Sequence, residues 1–431
     1  GKSRACGKSP GQETGGEARA MRRFRRRTCG CVALALCAAR SSAAPTFSAG
    51  IELPYHGANY PVSLVAADLD GDGDMDVLST FKNSNEVVWW ENQDGRGGFS
   101  VGRQITGEAR GAHAVWTADF DGDGDLDVVS ADEHDDRMVW YENRDGAGDF
   151  SKGEDVAVVK FSHKVWAGDL DEDGLPDILG CSPATGEVVW FRNDKEAATA
   201  GGKRFGEAGR RVITDVVKGA FPVVGADLDG DGLTDVVAFN KKGGAVVWMR
   251  NRGRGEFDAK PREVARPRED VRLLAAGDLD GDGRTDVVAA AESDNQVLWY
   301  RNDGAGGFGP GAFVAAGESL RGVALADLDG DGDLDVVVAS MLENKVAWSE
   351  NDGKGVFGLS RDIDADVPLS HAVWAADIDR DGRTDVLAAS PQGRGSKVLW
   401  YRNLGSGDGD GDGSGRGEQV VLELTGEEEE E

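Results

Sequence analysis

The sequence predicts an all-β fold, a seven-bladed β-propeller of four-stranded antiparallel blades, from three observations. The pattern D-x-D-x-D-G-x-x-D begins at Asp68, Asp119, Asp169, Asp227, Asp278, Asp327 and Asp377, in steps of 51, 50, 58, 51, 49 and 50 residues. A Trp follows the first Asp by 21 residues in six copies (Trp89, Trp140, Trp190, Trp248, Trp299, Trp348) and by 23 in the seventh (Trp400). An Asn stands three residues beyond each Trp, at Asn92, Asn143, Asn193, Asn251, Asn302, Asn351 and Asn403. Between these landmarks the apolar runs last 4–7 residues and end at Gly, Asp or Asn, which marks strands rather than helices. A repeat of about 50 residues holding four short strands is one propeller blade.

The elements follow in order. Residues 1–44 carry ten Lys or Arg against two Glu, a charge of +8, so against a net −30 the remainder carries −38. Met21 opens a basic run to Arg27, Cys29–Ala39 is apolar, and the small residues Ser41, Ser42, Ala43 and Ala44 follow. A charged end, an apolar segment too short to remain as an anchor and a small-residue cleavage site make a secretory signal peptide, with residues 1–20 as an extension before the start methionine and cleavage near Ala43 or Ala44. A mitochondrial transit peptide is the alternative, since the stretch is Arg-rich and acid-poor. Gly1–Ser9 is one residue too long for a phosphate-binding loop, and no strand precedes it. Four of the five Cys lie in this leader; only Cys181 remains, so the mature chain has no internal disulfide.

Residues 45–404 form the propeller. In each unit a short apolar segment precedes the Asp cluster, as in Val323–Ala326 or Ala372–Ala376, and a β-branched run follows it, as in Asp335–Ala339. A polar turn leads to the Trp strand, as in Lys345–Trp348, and a D-G-x-G-x-F turn leads to a fourth strand, as in Phe357–Ile363. The ring needs one more outer strand. Phe47–Leu53 supplies it, with Phe47 at the repeated Phe position; Gln419–Leu424 is the competitor. Residues 405–431 are a Gly/Asp-rich linker and acidic tail, in which Asp408, Asp410 and Asp412 lack a flanking strand and do not make an eighth site.

Composition bounds the function. No run reaches the ~18 apolar residues of a membrane span. The acidic balance repels nucleic-acid phosphate, and 11 Trp, 15 Phe and 39 % hydrophobic residues need burying, which argues against a disordered polyanion.

The Asp clusters are expected to hold calcium. Carboxylates at positions 1, 3, 5 and 9 converge when glycines permit the sharp turn, position 7 offers a carbonyl, and an all-oxygen shell suits Ca²⁺ rather than zinc. The ligands are Asp68, Asp70, Asp72 and Asp76; Asp119, Asp121, Asp123 and Asp127; Asp169, Asp171, Asp173 and Asp177; Asp227, Asp229, Asp231 and Asp235; Asp278, Asp280, Asp282 and Asp286; Asp327, Asp329, Asp331 and Asp335; and Asp377, Asp379, Asp381 and Asp385. Up to seven ions are expected. Asp74, Asp125 and Asp333, at position 7, are expected to face water. The third loop departs from the rest, with Glu172 after the second Asp and Pro176 before Asp177, and is expected to be a weaker site.

These loops, the V-W-Y-E-N segment at Val139–Asn143 and the turn at Gly307–Phe308 resemble the FG-GAP or VCBS repeat family, best known from the propeller head of integrin alpha chains, over residues 47–404. The resemblance implies calcium between the first and second strands of each blade, on one rim. The family also includes fungal sugar-binding propellers and domains attached to polysaccharide lyases, so it speaks to fold and metal more than to function. Further ectodomains, a membrane span and a cytoplasmic tail, which an integrin chain has, are not read here.

On the opposite rim, six residues before each first Asp, stand Val62, His113, His163, Phe221, Arg272, Arg321 and His371. Five of the seven can carry positive charge, which suits an anionic ligand such as a carboxylated or sulfated sugar. Histidine as general acid or base beside arginine suits a lyase, and H-x-V-W recurs at His113–Trp116, His163–Trp166 and His371–Trp374. Hydrogen bonding of these side chains to neighbouring blades outweighs both. Packing between blades likewise outweighs sugar stacking for the seven repeated Trp, and Trp90 is expected at the surface. The function expected is a secreted, monomeric binding or adhesion module for an extracellular carbohydrate or protein; the alternative is a polysaccharide-acting enzyme using the His/Arg ring.

Overall fold

Each apolar run pairs with the next in chain order, because the turns between them are too short for anything but antiparallel neighbours. A computed structural model describes residues 44–406, except residues 56, 58, 268, 269, 293, 393 and 394. The expected leader through Ala43, the Asp408–Asp412 stretch, the competing closing strand Gln419–Leu424 and the acidic tail lie outside the described residues. Seven four-stranded antiparallel sheets form, each in simple sequential order. Blade 1 runs Pro61–Ala67, Asp76–Phe81, Glu86–Trp90 and Arg103–Thr106. Blade 6 runs Leu320–Ala326, Asp335–Ser340, Lys345–Ser349 and Arg361–Asp364. The second strands are buried along their whole length in six blades, as in Asp335–Ser340, and up to the last residue in Asp235–Asn240, since both faces press on neighbouring blades. That is why they read as continuous β-branched runs rather than alternating ones.

The seventh blade takes its outer strand from the N-terminal side. Ile51–Glu52 pairs antiparallel with Lys397–Tyr401, placing Ile51 opposite Trp400 and Glu52 opposite Leu399, and Phe47 bridges Asn403. Phe47 therefore does in blade 7 what Phe99, Phe150, Phe257, Phe308 and Phe357 do when they bridge Asn92, Asn143, Asn251, Asn302 and Asn351. Among the described residues, helical turns at Lys195–Thr199 and Glu133–Asp135 interrupt the strands. The 58-residue step opens room for Lys195–Thr199, started by Asp194, whose side chain accepts from the Ala197 N–H at 2.7 Å. A short 3₁₀ turn spans Glu133–Asp135.

The repeated Trp join blade to blade. Trp89, Trp140, Trp190, Trp248, Trp299, Trp348 and Trp400 are all at most 7 % exposed. Phe99 of blade 1 meets Trp400 of blade 7 edge-on at 6.1 Å, Phe150 meets Trp89 at 6.2 Å, Phe205 meets Trp140 at 5.9 Å and Phe357 meets Trp299 at 6.5 Å. The same turn presses glycine on the ring: a Cβ at Gly97 would lie 2.2 Å from Trp400, and one at Gly148 2.3 Å from Trp89. Trp90 is buried, not surface-exposed as the sequence suggested. Its Nε1–H donates to the Pro54 carbonyl at 3.2 Å, and Tyr55 and Phe81 enclose it. The chain entering blade 1 covers this extra ring.

A hydrogen-bonded relay accompanies the indoles. In every blade the position-9 Asp accepts from the backbone N–H of the repeated Asn at 2.6–2.8 Å. Its other oxygen accepts from the N–H of loop position 2 at 3.0–3.3 Å. The Asn side-chain amide donates across the blade boundary, to the position-2 carbonyl of the preceding blade, at 2.6–2.9 Å. Asn92 donates to Ile378 of blade 7, so the relay runs around the ring without a break.

Replacing Asn351 by Ala strands the buried carbonyl of Leu279 and the half-buried one of Leu334, both of which it serves. The expected loss is about 2–4 kcal/mol, one to two unpaired buried acceptors, seen as a lower urea midpoint. Leu359→Ala, at a 92 % exposed position, is expected to change stability by less than about 0.5 kcal/mol. Equal effects of the two substitutions would contradict the relay.

Candidate cation loops and the opposite channel mouth

The loops turn because two residues adopt left-handed backbone. Position 4 is Gly71, Gly122, Gly230, Gly281 or Gly330 in five blades, and position 6 is Gly in all seven. Glu172 and Arg380 occupy position 4 in loops 3 and 7 and take the same conformation, at φ 64° and 57°. Loop 3 therefore keeps the shared shape despite its altered sequence, and loop 7 shares the same departure.

Position 1 holds the loop inward, accepting from the position-6 N–H at 2.7–3.0 Å in every blade. Position 5 accepts from the position-7 N–H at 2.8–3.1 Å. The remaining oxygens converge. Carboxylates of Asp68, Asp70 and Asp76 come within 4.8 Å of one another, as do those of Asp169, Asp171 and Asp177, and of Asp227, Asp229 and Asp235. Asp119, Asp121 and Asp123 converge likewise, as do Asp278, Asp280 and Asp282. Oδ1 of Asp68, Asp171, Asp229 and Asp280 is buried and receives no hydrogen bond. A buried carboxylate oxygen without a donor, beside others of its kind, can hold a metal ion, and an all-oxygen donor set favours a hard one.

Burial pushes the position-9 carboxyls up, to about 7 for Asp76, Asp127, Asp235 and Asp385, about 8 for Asp177 and Asp335, and about 6 for Asp286. Asp329 is pushed to about 7 by burial, then by Asp331 and Glu350. Asp74, Asp125 and Asp333 do not face open water as expected. Asp74 is 7 % exposed and pairs with Arg380 at 2.5 Å; Asp125 and Asp333 are half-buried. All three pack on the D-G turn of their own blade, at Gly95, Gly146 and Gly353.

The opposite mouth is built by bulges. In five blades the inner-strand register slips at the residue six before the first Asp, at Val62, His113, Phe221, Arg272 and Arg321. The extra residue drops out of the ladder, which re-aims its side chain. His163 and His371 stand just before their strands. These side chains do meet around the ring. His113 stacks on His163 at 4.9 Å, His163 meets Phe221 at 5.6 Å, and Arg272 and Arg321 share Glu292 at 2.6 and 2.8 Å.

The charge differs from the five positive groups expected. Burial holds His113 and His371 well below the usual histidine range, His371 at about 3. Glu292 offsets the arginines, and Glu133 lies 3.5 Å from His163 and 2.9 Å from Lys82. Glu133 and Glu292 escaped the sequence reading, although each stands six residues after its position-9 Asp, Asp127 or Asp286, and could have been found by that offset. His113 is fully buried and His371 is 3 % exposed, so neither presents its ring to a polymer. Below the mouth, Trp116 of blade 2 meets Trp166 of blade 3 at 6.4 Å and Trp374 of blade 7 at 6.1 Å. Blades 2 and 7 are not neighbours, so these indoles meet across the axis. Cβ atoms at Gly168 and Gly225 would lie 2.1 and 2.7 Å from the Trp166 ring, so both glycines leave it room. Cys181 is a buried free thiol. Among the described residues no helix is long and apolar enough to cross a membrane.

A family model described as FG-GAP-like repeat matches residues 68–130, 119–180, 169–238, 227–289, 278–338 and 327–388. A search of curated proteins returns no match. Among solved structures, a lectin of Agrocybe aegerita that recognises non-reducing terminal N-acetylglucosamine superposes with a TM-score of 0.54 at 21 % identity, over 77 % of this chain and 85 % of the lectin. A streptogramin B lyase superposes with 0.54 at 12 % identity, over 82 % and 97 %. Virginiamycin B lyase from Staphylococcus aureus gives 0.53 at 11 % identity, over 82 % and 99 %. At these identities the likeness is one of fold.

Acid is expected to weaken the mouth. The folded pKa of His371 lies below its unfolded value of about 6.5, so its contribution is complete above that pH and is lost as pH falls toward 3. At pH 5 the unfolded chain gains about 2 kcal/mol from protonating one such histidine. His371→Gln is expected to lose less stability than the parent between pH 7 and 5, by urea denaturation at saturating calcium; identical losses would place the proton elsewhere.

Proposed function

The chain belongs to the FG-GAP-like repeat family, and on that premise we propose that it is a secreted, calcium-stabilised propeller that binds an extracellular carbohydrate or protein. The observation that carries this is the set of convergent carboxylates between first and second strands, with buried oxygens that lack donors. Aspartates at positions 1, 3, 5 and 9 would hold each ion, together with the position-7 carbonyl. Calcium would supply positive charge among carboxylates that otherwise repel one another. Seven ions would move the charge of the chain beyond residue 44 from −38 to −24. The basic and apolar segment from Met21 supports export. The sugar-recognising lectin with the same fold makes a glycan the first ligand class to test. The ring of His113, His163, Arg272, Arg321 and His371 is the candidate ligand mouth, through the partly exposed His163 and Arg272 rather than the buried His113, Arg321 and His371.

Two measurements test this. Cation binding favours the folded state by mass action, so exhaustive dialysis against EDTA is expected to lower the thermal midpoint, and calcium to restore it. An unchanged midpoint would remove calcium from the account. A glycan array in calcium buffer is expected to give signals that EDTA abolishes and Arg272→Ala reduces. Release of unsaturated products from uronate polymers would instead identify an enzyme.

A further inference from the structure

The seven loops are alike in backbone but not in charge. The residue before the repeated Asn is Arg in blades 3, 4, 5 and 7 (Arg192, Arg250, Arg301, Arg402) and Glu in blades 1, 2 and 6 (Glu91, Glu142, Glu350). Position 7 divides the same way. It is Asp74, Asp125 and Asp333 beside the Glu residues, but Leu175, Leu233, Arg284 and Arg383 beside the Arg residues.

The four arginines make one repeated contact. Arg192 bridges Oδ2 of Asp171 and Asp173 at 2.5 and 2.9 Å, and Arg250 bridges Asp229 and Asp231 at 2.5 and 2.9 Å. Arg301 bridges Asp280 and Asp282, and Arg402 bridges Asp379 and Asp381, in the same way. The fork thus takes one oxygen each from positions 3 and 5. It leaves Oδ1 of Asp171 and of Asp280 without a donor, on side chains only 8 % and 6 % exposed. Those buried oxygens are what a cation would use. In blades 1, 2 and 6, among the described residues, no guanidinium bridges positions 3 and 5. Glu91 and Glu350 pair outward with Arg103 and Arg361 of the outer strands, and Asp74 with Arg380 of blade 7. Four ligand aspartates, the position-7 Asp and the Glu total −6 in these loops, whereas blade 3, with Glu172 and one Arg, totals −4, blade 4 −3, blade 5 −2, and blade 7, with Arg380, Arg383 and Arg402, −1.

We propose that the propeller carries two classes of calcium site, three tight sites in blades 1, 2 and 6 and four weaker, arginine-compensated sites in blades 3, 4, 5 and 7. The proposal rests on the calcium reading above and assigns its regulation. When calcium falls, the weaker class empties first, and the arginine holds the loop carboxylates in place of the ion. Four of the seven blades can then lose their metal while the strongest clusters of negative charge stay neutralised. Calcium affinity in flexible oxygen sites follows the charge of the ligand set, so the classes are expected to differ on the order of tenfold in Kd.

Equilibrium dialysis of the full chain over a range of free calcium, with bound calcium measured by elemental analysis, tests this. A biphasic isotherm is expected, with three ions of higher affinity and four of lower affinity per chain. Arg250→Gln, by removing the fork, is expected to tighten the blade 4 site above those of blades 3, 5 and 7, and Glu350→Arg, by removing a negative charge and supplying a fork, to weaken the blade 6 site below those of blades 1 and 2. Arg301→Gln repeats the first test in another blade should Arg250→Gln not fold. Seven ions bound in a single step, or weaker binding in Arg250→Gln, would overturn the two classes and leave the calcium reading standing. No bound calcium at any concentration would overturn the calcium reading itself.

Discussion

The fold depends on one buried carboxylate used seven times. The position-9 aspartate cannot be solvated where it lies, so it must be satisfied by the protein, by a proton or by a cation. The protein supplies two backbone N–H groups, one from its own loop and one from the repeated Asn. The Asn then spends its amide on the loop of the preceding blade. The same residue is thus loop anchor, blade anchor and the end of the candidate cation site. Disturbance at one loop therefore reaches the boundary between blades, which explains how ion occupancy can bear on the stability of the whole ring.

Packing reinforces this link rather than replacing it. Four of the repeated indoles (Trp89, Trp140, Trp299, Trp400) meet the Phe of the following blade's turn edge-on, and five (Trp89, Trp190, Trp248, Trp299, Trp400) have a left-handed glycine against the ring. Arginine of the outer strand covers the indole in three blades and Arg204, from the loop of blade 3, covers Trp140 of blade 2, Arg262 over Trp248 at 4.7 Å being the nearest. Aromatic burial supplies area, and the relay supplies register. The relay recurs at every boundary, including the one between blades 7 and 1.

The two rims solve opposite electrostatic problems. The loop rim concentrates carboxylates and offsets some with Arg192, Arg250, Arg301 and Arg402. The mouth rim gathers cations and offsets them with Glu133 and Glu292. Between them Trp116, Trp166 and Trp374 meet across the axis. A ligand at the mouth would meet the charge of Lys82, Lys164, Arg272 and Arg321, offset in part by Glu133 and Glu292, above an apolar floor.

Blade number, strand order, the carboxylate positions and the repeated Trp and Asn were legible in the sequence by itself. Period and spacing are properties of the chain, and seven repetitions of Asp at positions 1, 3, 5 and 9 allow few other geometries. What only the tertiary structure decided are the pairings between residues far apart in sequence. Trp90 looked like a surface aromatic because nothing near it shows that Tyr55 and Phe81 enclose it. The mouth looked five-fold cationic because charge was counted along one strand position, whereas Glu292 reaches it from a different turn and burial keeps His113 and His371 neutral. Composition counts charges; only the folded ring decides which of them touch and which lose their water.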